Sequence, residues 1–457
     1  MDRLRSLFRR GEDNGQEYQP LYEDGDPLAP ESNEAPEVPF SWIEYGIFLM
    51  LGIAALWAWN MFVAAAPYFQ FRFQMDDWIL QNFQSAIISV YTLTTLSSMA
   101  ILAGKQDSAS YPFRISSALY LTAVVFLLLT ISSKAFLDVT ATTYFAFLLA
   151  MVALAAFACG LLQNGALTLA SSFKRPEYLQ AIMAGQGIAG VLPSLVQVIS
   201  ILVASSPNTV TEEEAAGPDK GTAAFIYFLT AVVISVVALL SFGPLIHRYN
   251  KKIRIRTPET MAEDVTASMT STEAADFAQR RVVSMTTLFR KLYWLATAVF
   301  ICFAVTMLFP VFTPKILSVV PPEKGGALLQ PAAFVPLAFF FWNIGDLAGR
   351  SLSLFISLQH RPVILFIISI ARSVFLPLYL LCNINNRGAV VNSDLFYLLL
   401  VQLPFGLTNG WLGSNCMMAA GKWVDETERE ASGGFMGVCL VAGLSAGSLL
   451  SFVVAGI

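Results

Sequence analysis

Two ionisable side chains stand four positions apart inside a long apolar stretch of the chain. They are Asp346 and Arg350, in the segment WNIGDLAGRS, and Asn343 comes one helical turn before the carboxylate. On a helix this spacing puts the three side chains on one face. A carboxylate beside a guanidinium offsets the cost of removing both from water and keeps hydrogen-bonding capacity for a third partner. The pair is therefore either an ion pair that locks two helices or part of a binding site for a polar ligand.

A glycine-rich stretch carries the letters of a phosphate-binding turn. GQGIAG, residues 185–190, matches the G-x-G-x-x-G pattern of dinucleotide-binding folds. That pattern needs a strand before the first glycine and an amphipathic helix after the turn, whereas the flanking sequence here is one apolar run. We therefore expect no nucleotide cofactor, and we interpret Gly185, Gly187 and Gly190 as a small-residue face for close helix packing.

Further polar and aromatic residues lie inside apolar runs. Trp59 and Asn60 occur in ALWAWNMF; the tryptophan is either an anchor at the membrane interface or an aromatic plate lining a cavity. Gln163, in LLQNG, either bridges two helices or reads the hydrogen-bonding edge of a ligand. Arg372 either lines a cavity or extends to the membrane surface. Together, the aromatic ring of Trp59, the amide of Gln163 and the Asp–Arg pair would suit a neutral ligand with a flat ring and hydroxyl groups.

The elements that must position these residues are predicted to be membrane-spanning helices. The chain has 457 residues, of which 56% are hydrophobic and 13% charged, and its mean hydropathy is +0.61. These values are outside the usual range of soluble domains, and a net charge of −4 with no basic face makes nucleic acid an unexpected partner. A bilayer crossing needs about 20 apolar residues. Eleven such stretches are predicted, at 43–66, 84–103, 113–131, 143–170, 181–205, 223–246, 292–313, 332–357, 361–383, 394–420 and 432–456.

The positive charges between the predicted spans favour one orientation. With the N-terminus inside, twenty Lys and Arg residues fall in inner segments and six in outer loops. Because Lys and Arg mark the cytosolic side, we expect a cytosolic N-terminus and a C-terminus on the far side. The predicted fold is an all-α polytopic membrane protein with a 6+5 division. Its parts are a disordered cytosolic tail at 1–42, six helices in 43–246, a cytosolic linker loop at 247–291 and five helices in 292–457.

Neither a metal site nor an enzyme active site is predicted. GLSAG, residues 443–447, matches the G-x-S-x-G nucleophile pattern but has no suitable His and acid to accompany it. The five cysteines lie in apolar runs without a C-x-x-C pair, and the two histidines lack metal-ligand spacing. We therefore expect packing cysteines, no cofactor, no metal and no catalysis.

Five segments in order and spacing resemble the equilibrative nucleoside transporters. They are LWAWNMFVAAAPYF, IMAGQGIAG, FWNIGDLAGRSLS, ARSVFLPLYLLCNI and LTNGWLGSNCMM, and the resemblance covers nearly all of 43–456. It implies eleven helices in a fold related to the major facilitator superfamily. It also implies movement of nucleosides, and in some members nucleobases, down their gradient by alternating access.

The resemblance also implies roles for single residues. Trp59 matches a tryptophan that lines the substrate cavity, with Asn60 beside it, and Gln163 matches a glutamine that contacts the base. Asp346 and Arg350 match a pair that engages the ribose and supports the gate. The sequence departs from animal members at two positions, where Val63 replaces methionine and Cys159 replaces glycine. Inhibitor sensitivity is therefore expected to differ.

The N-terminal tail contains a sorting pattern. Tyr18 to Leu21 fits Y-x-x-Φ and is followed by acidic residues, which predicts a sorting adaptor as partner and a vacuolar or lysosomal membrane rather than the plasma membrane. Three alternatives stay open at this point. They are transport of another small polar solute such as a sugar or drug, proton-coupled nucleoside transport, and a receptor or scaffold that uses residues 250–285 to bind a partner.

Overall fold

The fold is helical throughout the part of the chain that the structure describes. The structure is a computed structural model, and it describes residues 40–105, 110–135, 138–204, 220–266, 283–321 and 326–454. In chain order the α-helices are α1 Trp42–Ala64, α2 Ala66–Phe73, α3 Asp77–Gly104, α4 Tyr111–Ser132, α5 Ala141–Ser172, α6 Pro176–Ala204, α7 Lys220–Thr266, α8 Met285–Thr306, α9 Leu308–Phe312, α10 Pro331–Leu352, α11 Pro362–Ala371, α12 Phe375–Leu380, α13 Leu403–Ala420 and α14 Arg429–Val454. A 3-10 turn, Arg372–Val374, joins α11 to α12, and a π-helix, Phe396–Gln402, leads into α13.

Side-chain caps fix where several of these helices begin. The hydroxyl of Ser41 accepts a hydrogen bond from the backbone N–H of Glu44 at the start of α1. Asp76 caps α3 in the same way by accepting from Ile79, which satisfies a backbone donor that has no partner within the helix. Equivalent caps precede α4, α5 and α8 at Ser110, Thr140 and Ser284.

Nine helical stretches in the described residues are long and apolar enough to cross a membrane. The predicted spans 332–357 and 394–420 are not among them. Both are helical, as α10 and as the π-helix with α13, and both carry buried polar residues, such as Asp346, Arg350 and Asn409. Helix α7 also continues past the predicted end of its span at 246, so that the first part of the expected linker is helical up to Thr266.

In two helix pairs, glycines on both helices allow an approach that leaves no room for a Cβ atom. A Cβ atom on Gly349 of α10 would collide with the carbonyl oxygen of Leu407 in α13, and one on Gly410 of α13 would collide with that of Asp346 in α10. The backbones of α1 and α6 meet in the same reciprocal way. Such contacts bring backbones together where hydrophobic burial drives association only weakly, as inside a bilayer. The site residues on α10 are thereby held at a fixed distance from α13.

Helices on the two sides of the predicted linker are in contact. Helix α6 packs against α10 and α13, while α3 and α5 pack against α14. The largest buried apolar cluster draws on both sides, with Phe48 and Leu167 from the first and Leu295 and Met436 from the second. At one end, Lys174, before α6, forms an ion pair with Glu426, before α14.

Candidate functional site

The carboxylate of Asp346 is held between α10 and α13. Arg350, one turn further along α10, donates from Nε to Asp346 Oδ2 at 2.6 Å, and both residues are at most 5% exposed. Asn409 of α13 donates from Nδ2 to Asp346 Oδ1 at 2.7 Å. Each carboxylate oxygen thus has one protein donor and keeps lone-pair capacity for a second. Asp346 and Arg350 thus lie on one face of α10, as expected. Asn409 from α13 adds a second hydrogen bond to the carboxylate.

Arg350 also ties α10 to α6. Its Nη1 atom donates to the carbonyl oxygen of Met183 at 2.7 Å and to Oε1 of Gln186 at 3.4 Å. In return, Gln180 of α6 donates from Nε2 to the backbone carbonyl of Arg350 at 3.1 Å. The guanidinium therefore satisfies acceptors on two helices at once, and its position depends on how these helices are packed.

The three glycines of GQGIAG lie at contacts with two different helices. Gly185 faces α1, where a Cβ atom would collide with the carbonyl oxygen of Leu49. Gly187 faces α10, where a Cβ atom would lie 3.1 Å from Cδ of Arg350. Gly190 also faces α10, against Asn343. The small-residue stretch is thus the surface on which the Asp–Arg segment rests.

Asn60 and Asn343 approach the same short part of α6 from opposite helices. Asn60, in α1, donates from Nδ2 to the carbonyl oxygen of Ala189 at 2.7 Å. Asn343, in α10, donates from Nδ2 to the carbonyl oxygen of Phe339 at 2.9 Å, and its Oδ1 faces Gly190. Both amides are half-buried. The structure brings them to either side of α6 and not into contact with each other.

Trp59 and Gln163 belong to a second group on α1, α3 and α5. The ring of half-buried Trp59 lies 4.8 Å from that of Tyr91 at an angle of 49°. Tyr91 lies beside Cys159, and the Cys159 sulfur accepts from Nε2 of Gln163 at 3.4 Å. Oε1 of Gln163 is buried without a hydrogen-bond partner, which is costly unless a ligand or water supplies a donor.

These two groups are not joined directly. Among the described residues, no hydrogen bond or ring contact runs from Trp59 or Gln163 to Asp346 or Arg350. Helix α6 contacts both α1, which carries Trp59, and α10, which carries Asp346. Tyr18 and Leu21 of the sorting pattern lie outside the described residues.

Sequence reasoning missed Asn409 and left Arg372 undecided. Asn409 occurs in LTNGWLGSNCMM, where an amide inside an apolar run is the same signal that singled out Gln163. Arg372 is 2% exposed and donates from Nη1 to the carbonyl oxygen of Cys302 at 2.6 Å, so its side chain is directed into the protein interior and not to the membrane surface.

A sequence model of nucleoside transporters matches residues 149–455, which include α10, α13 and Gln163. The chain belongs to the nucleoside transporter family. This membership confirms the expectation of facilitated nucleoside transport at the level of the family and makes the protein a membrane transporter, not an enzyme.

Named relatives extend the comparison over most of this nucleoside transporter. Nucleoside transporter FUN26 of Saccharomyces cerevisiae is 28% identical over 453 residues, which cover 90% of this chain and 84% of that protein. Human equilibrative nucleoside transporter 1 is 26% identical over 456 residues, covering 89% and 95%.

Solved structures with a similar fold are transporters of the major facilitator superfamily. FucP in the outward conformation has a TM-score of 0.52 at 11% identity and covers 91% of this chain and 96% of its own. The proton:xylose symporter XylE, bound to 6-bromo-6-deoxy-D-glucose, has a TM-score of 0.54 at 12% identity and covers 89% and 86%. At such identities the likeness concerns the fold alone, and it agrees with the expectation of a fold that resembles that superfamily.

Proposed function

We propose that nucleosides cross this transporter down their own gradient through a site formed by Trp59, Gln163, Asp346 and Arg350. The observation that carries the proposal is the buried Asp346 carboxylate, held by Arg350 and Asn409 and in contact with α6 through that arginine. An ionisable residue in a membrane span costs about 2.5–3.5 kcal/mol to insert and is a functional candidate for that reason.

Each end of a nucleoside would meet a different group. The ribose hydroxyls would donate to the remaining lone pairs of Asp346, whose carboxylate Arg350 orients. The unpartnered Oε1 of Gln163 would accept from an N–H on the edge of the base, and the Trp59 ring would stack on its face. Asn60 and Asn343 would line the passage on either side of α6.

Alternating access would follow from movement of the two bundles around a central site between the first and the seventh span. We propose that α10 and the π-helix with α13 also cross the membrane, which completes eleven spans divided six and five. The ion pair between Lys174 and Glu426 joins the two proposed bundles at one end. A bundle movement that opens this end would have to break that pair, as expected for transporters that rock around a central site.

Orientation and location are further parts of the proposal. The excess of Lys and Arg on one side supports a cytosolic N-terminus and a far-side C-terminus. The Tyr18 to Leu21 pattern supports delivery by a sorting adaptor to a vacuolar or lysosomal membrane. Imaging of a fluorescent fusion tests this: Tyr18→Ala should shift the protein to the plasma membrane, whereas unchanged vacuolar delivery would contradict the role of the motif.

The site is tested by uptake into proteoliposomes that hold purified Asp346→Asn. This variant keeps the shape of the side chain but removes its charge, and we expect a fall in uridine uptake of about ten-fold or more. Asp394→Asn is the matched control. Asp394 accepts hydrogen bonds from the Ser318 hydroxyl and the Val319 backbone N–H, and none of these residues belongs to the proposed site. Normal uptake by folded Asp346→Asn would contradict the proposed site.

A further inference from the structure

Asn409 is oriented so that it can only donate to Asp346. A carboxylate oxygen only accepts, so the NH₂ side of the amide is the side that faces Oδ1 of Asp346, 2.7 Å away. The Oδ1 atom of Asn409 then lies on the other side, 2.5 Å from Oγ1 of Thr306 and 3.5 Å from the Cys302 sulfur, and it shares the one Thr306 hydroxyl proton with the Cys302 carbonyl oxygen, 2.8 Å from Oγ1. Asn409 is 1% exposed, and Thr306 is buried as well. The amide therefore has one hydrogen-bonding orientation and not two.

A second guanidinium stands behind this amide. Arg372 donates from Nη1 to the carbonyl oxygen of Cys302 at 2.6 Å and from Nη2 to Oγ1 of Thr306 at 3.3 Å. Its guanidinium also lies 4.9 Å from the centroid of the Phe405 ring. The hydrogen bonds form a continuous path from Arg372 through Thr306 and Asn409 to Asp346, and this path crosses from α8 and the turn after α11 to α13 and α10.

The path carries more positive than negative charge. In the described part of the chain, Asp346 has its ion pair with Arg350, and no carboxylate lies within ion-pair distance of Arg372. Asp346 nevertheless interacts electrostatically with Arg372. A buried guanidinium without a carboxylate of its own is costly unless nearby dipoles and a shared anion stabilise it. One carboxylate thus interacts with two arginines, one directly and one through the amide.

We infer that Asn409 and Arg372 are positioning residues for Asp346. Arg350 binds only Oδ2 and would by itself let the carboxylate rotate, whereas the bond from Asn409 fixes Oδ1 and with it the direction of the remaining lone pairs. This inference rests on the proposed role of Asp346 in binding the ribose. It adds that recognition of the ribose hydroxyls depends on the hydrogen-bonded path from Arg372 through Thr306 and Asn409 to Asp346. We call this path the relay.

The test compares uptake of uridine with that of 2′,3′-dideoxyuridine in proteoliposomes. The two share the base and differ in the hydroxyls that Asp346 would bind. We expect the wild-type protein to prefer uridine in kcat/KM by about ten-fold or more. Asn409→Leu and the milder Thr306→Val should lower kcat/KM for uridine several-fold and leave that for dideoxyuridine nearly unchanged. Thr122→Val is the control, because the buried Thr122 hydroxyl bonds only a carbonyl of its own helix.

Arg372 is tested by two replacements. Arg372→Gln removes the charge and should lower the preference for uridine as far as Asn409→Leu does. Arg372→Lys keeps a positive charge near Thr306 and should restore part of the preference. An equal loss of uptake for both substrates in all these variants would mean that the relay only holds helices together, and it would overturn the inference.

The outcomes separate the relay from the site. If Asp346→Asn abolishes the preference while folded Asn409→Leu and Thr306→Val keep it, the relay is wrong and the proposed site stands. If the wild-type protein has no preference for uridine, the ribose role of Asp346 fails and the relay fails with it. Should Asn409→Leu not fold, Thr306→Val decides alone, since it removes one hydroxyl and preserves side-chain volume.

Discussion

A Cβ atom on Gly190 would lie 2.5 Å from Oδ1 of Asn343. The amide of Asn343 therefore occupies the space that any other residue at 190 would need, and α6 meets the polar face of α10 at this point. The contact joins the glycine stretch to the helix that carries the Asp–Arg pair.

Gly190→Ala should impair transport more than folding. The added methyl group would push Asn343 aside and shift α10 slightly. A misplaced substrate site lowers the transport rate. We expect uridine uptake to fall several-fold. Gly46→Ala is the control, because no atom lies within 4 Å of the Cβ position at Gly46. Equal uptake by Gly190→Ala and Gly46→Ala would contradict the importance of this contact.

Gly349→Ala should impair folding itself. At Gly349 a Cβ atom meets the backbone of α13, which cannot turn away as a flexible side chain can. Overpacking of this kind typically costs about 1–3 kcal/mol. The melting temperature of the detergent-solubilised protein should fall. Gly243→Ala, with open space around its Cβ position, should keep or raise that temperature, because alanine favours a helix. An unchanged melting temperature for Gly349→Ala would show that α10 and α13 can separate at little cost.

Gln163→Leu should weaken binding of the base without affecting discrimination at the ribose. The change removes the unpartnered Oε1, so the N–H on the edge of the base would lose its acceptor. KM should rise by about ten-fold for both uridine and 2′,3′-dideoxyuridine, since both carry the same base. A change confined to one of the two substrates, or no change in KM, would place Gln163 outside the base site.

The ion pair between Lys174 and Glu426 should have a small effect on rate. Its side chains are 38% and 57% exposed, and exposed pairs contribute about 0–1 kcal/mol. Lys174→Glu should change the uptake rate by a few-fold at most, and the exchanged pair Lys174→Glu with Glu426→Lys should restore it. Failure of the double variant to restore the rate would show that the two residues do not act together.

The local part of the candidate site could be predicted from the sequence. The positions of Asn343, Asp346 and Arg350 require them to share a helix face, and apolar runs predict where helices lie. What Asp346 contacts across the bundle could not be predicted, because Asn409 is 63 residues away and its register against α10 depends on glycine contacts between two backbones. Arg372 shows the same limit, since residues from α8 and α13 decide which way its side chain points.

Hydropathy also separates what could be predicted from what could not. The nine apolar stretches all coincide with predicted spans. Hydropathy does not predict which polar residues lie inside the bundle: Asp346, Arg350 and Asn409 are buried because other helices surround α10 and α13, and such a helix can hold polar residues that a lipid-facing helix cannot.

The most direct test of the account is uptake of radiolabelled uridine and adenosine into proteoliposomes that hold the purified protein, with and without an imposed pH gradient. We predict saturable uptake that stops when the inner and outer concentrations are equal. The pH gradient should not raise the inner concentration above the outer one. Accumulation above the outer concentration only with the gradient would contradict facilitated transport and indicate proton coupling. Uptake of neither nucleoside would contradict the proposed substrate.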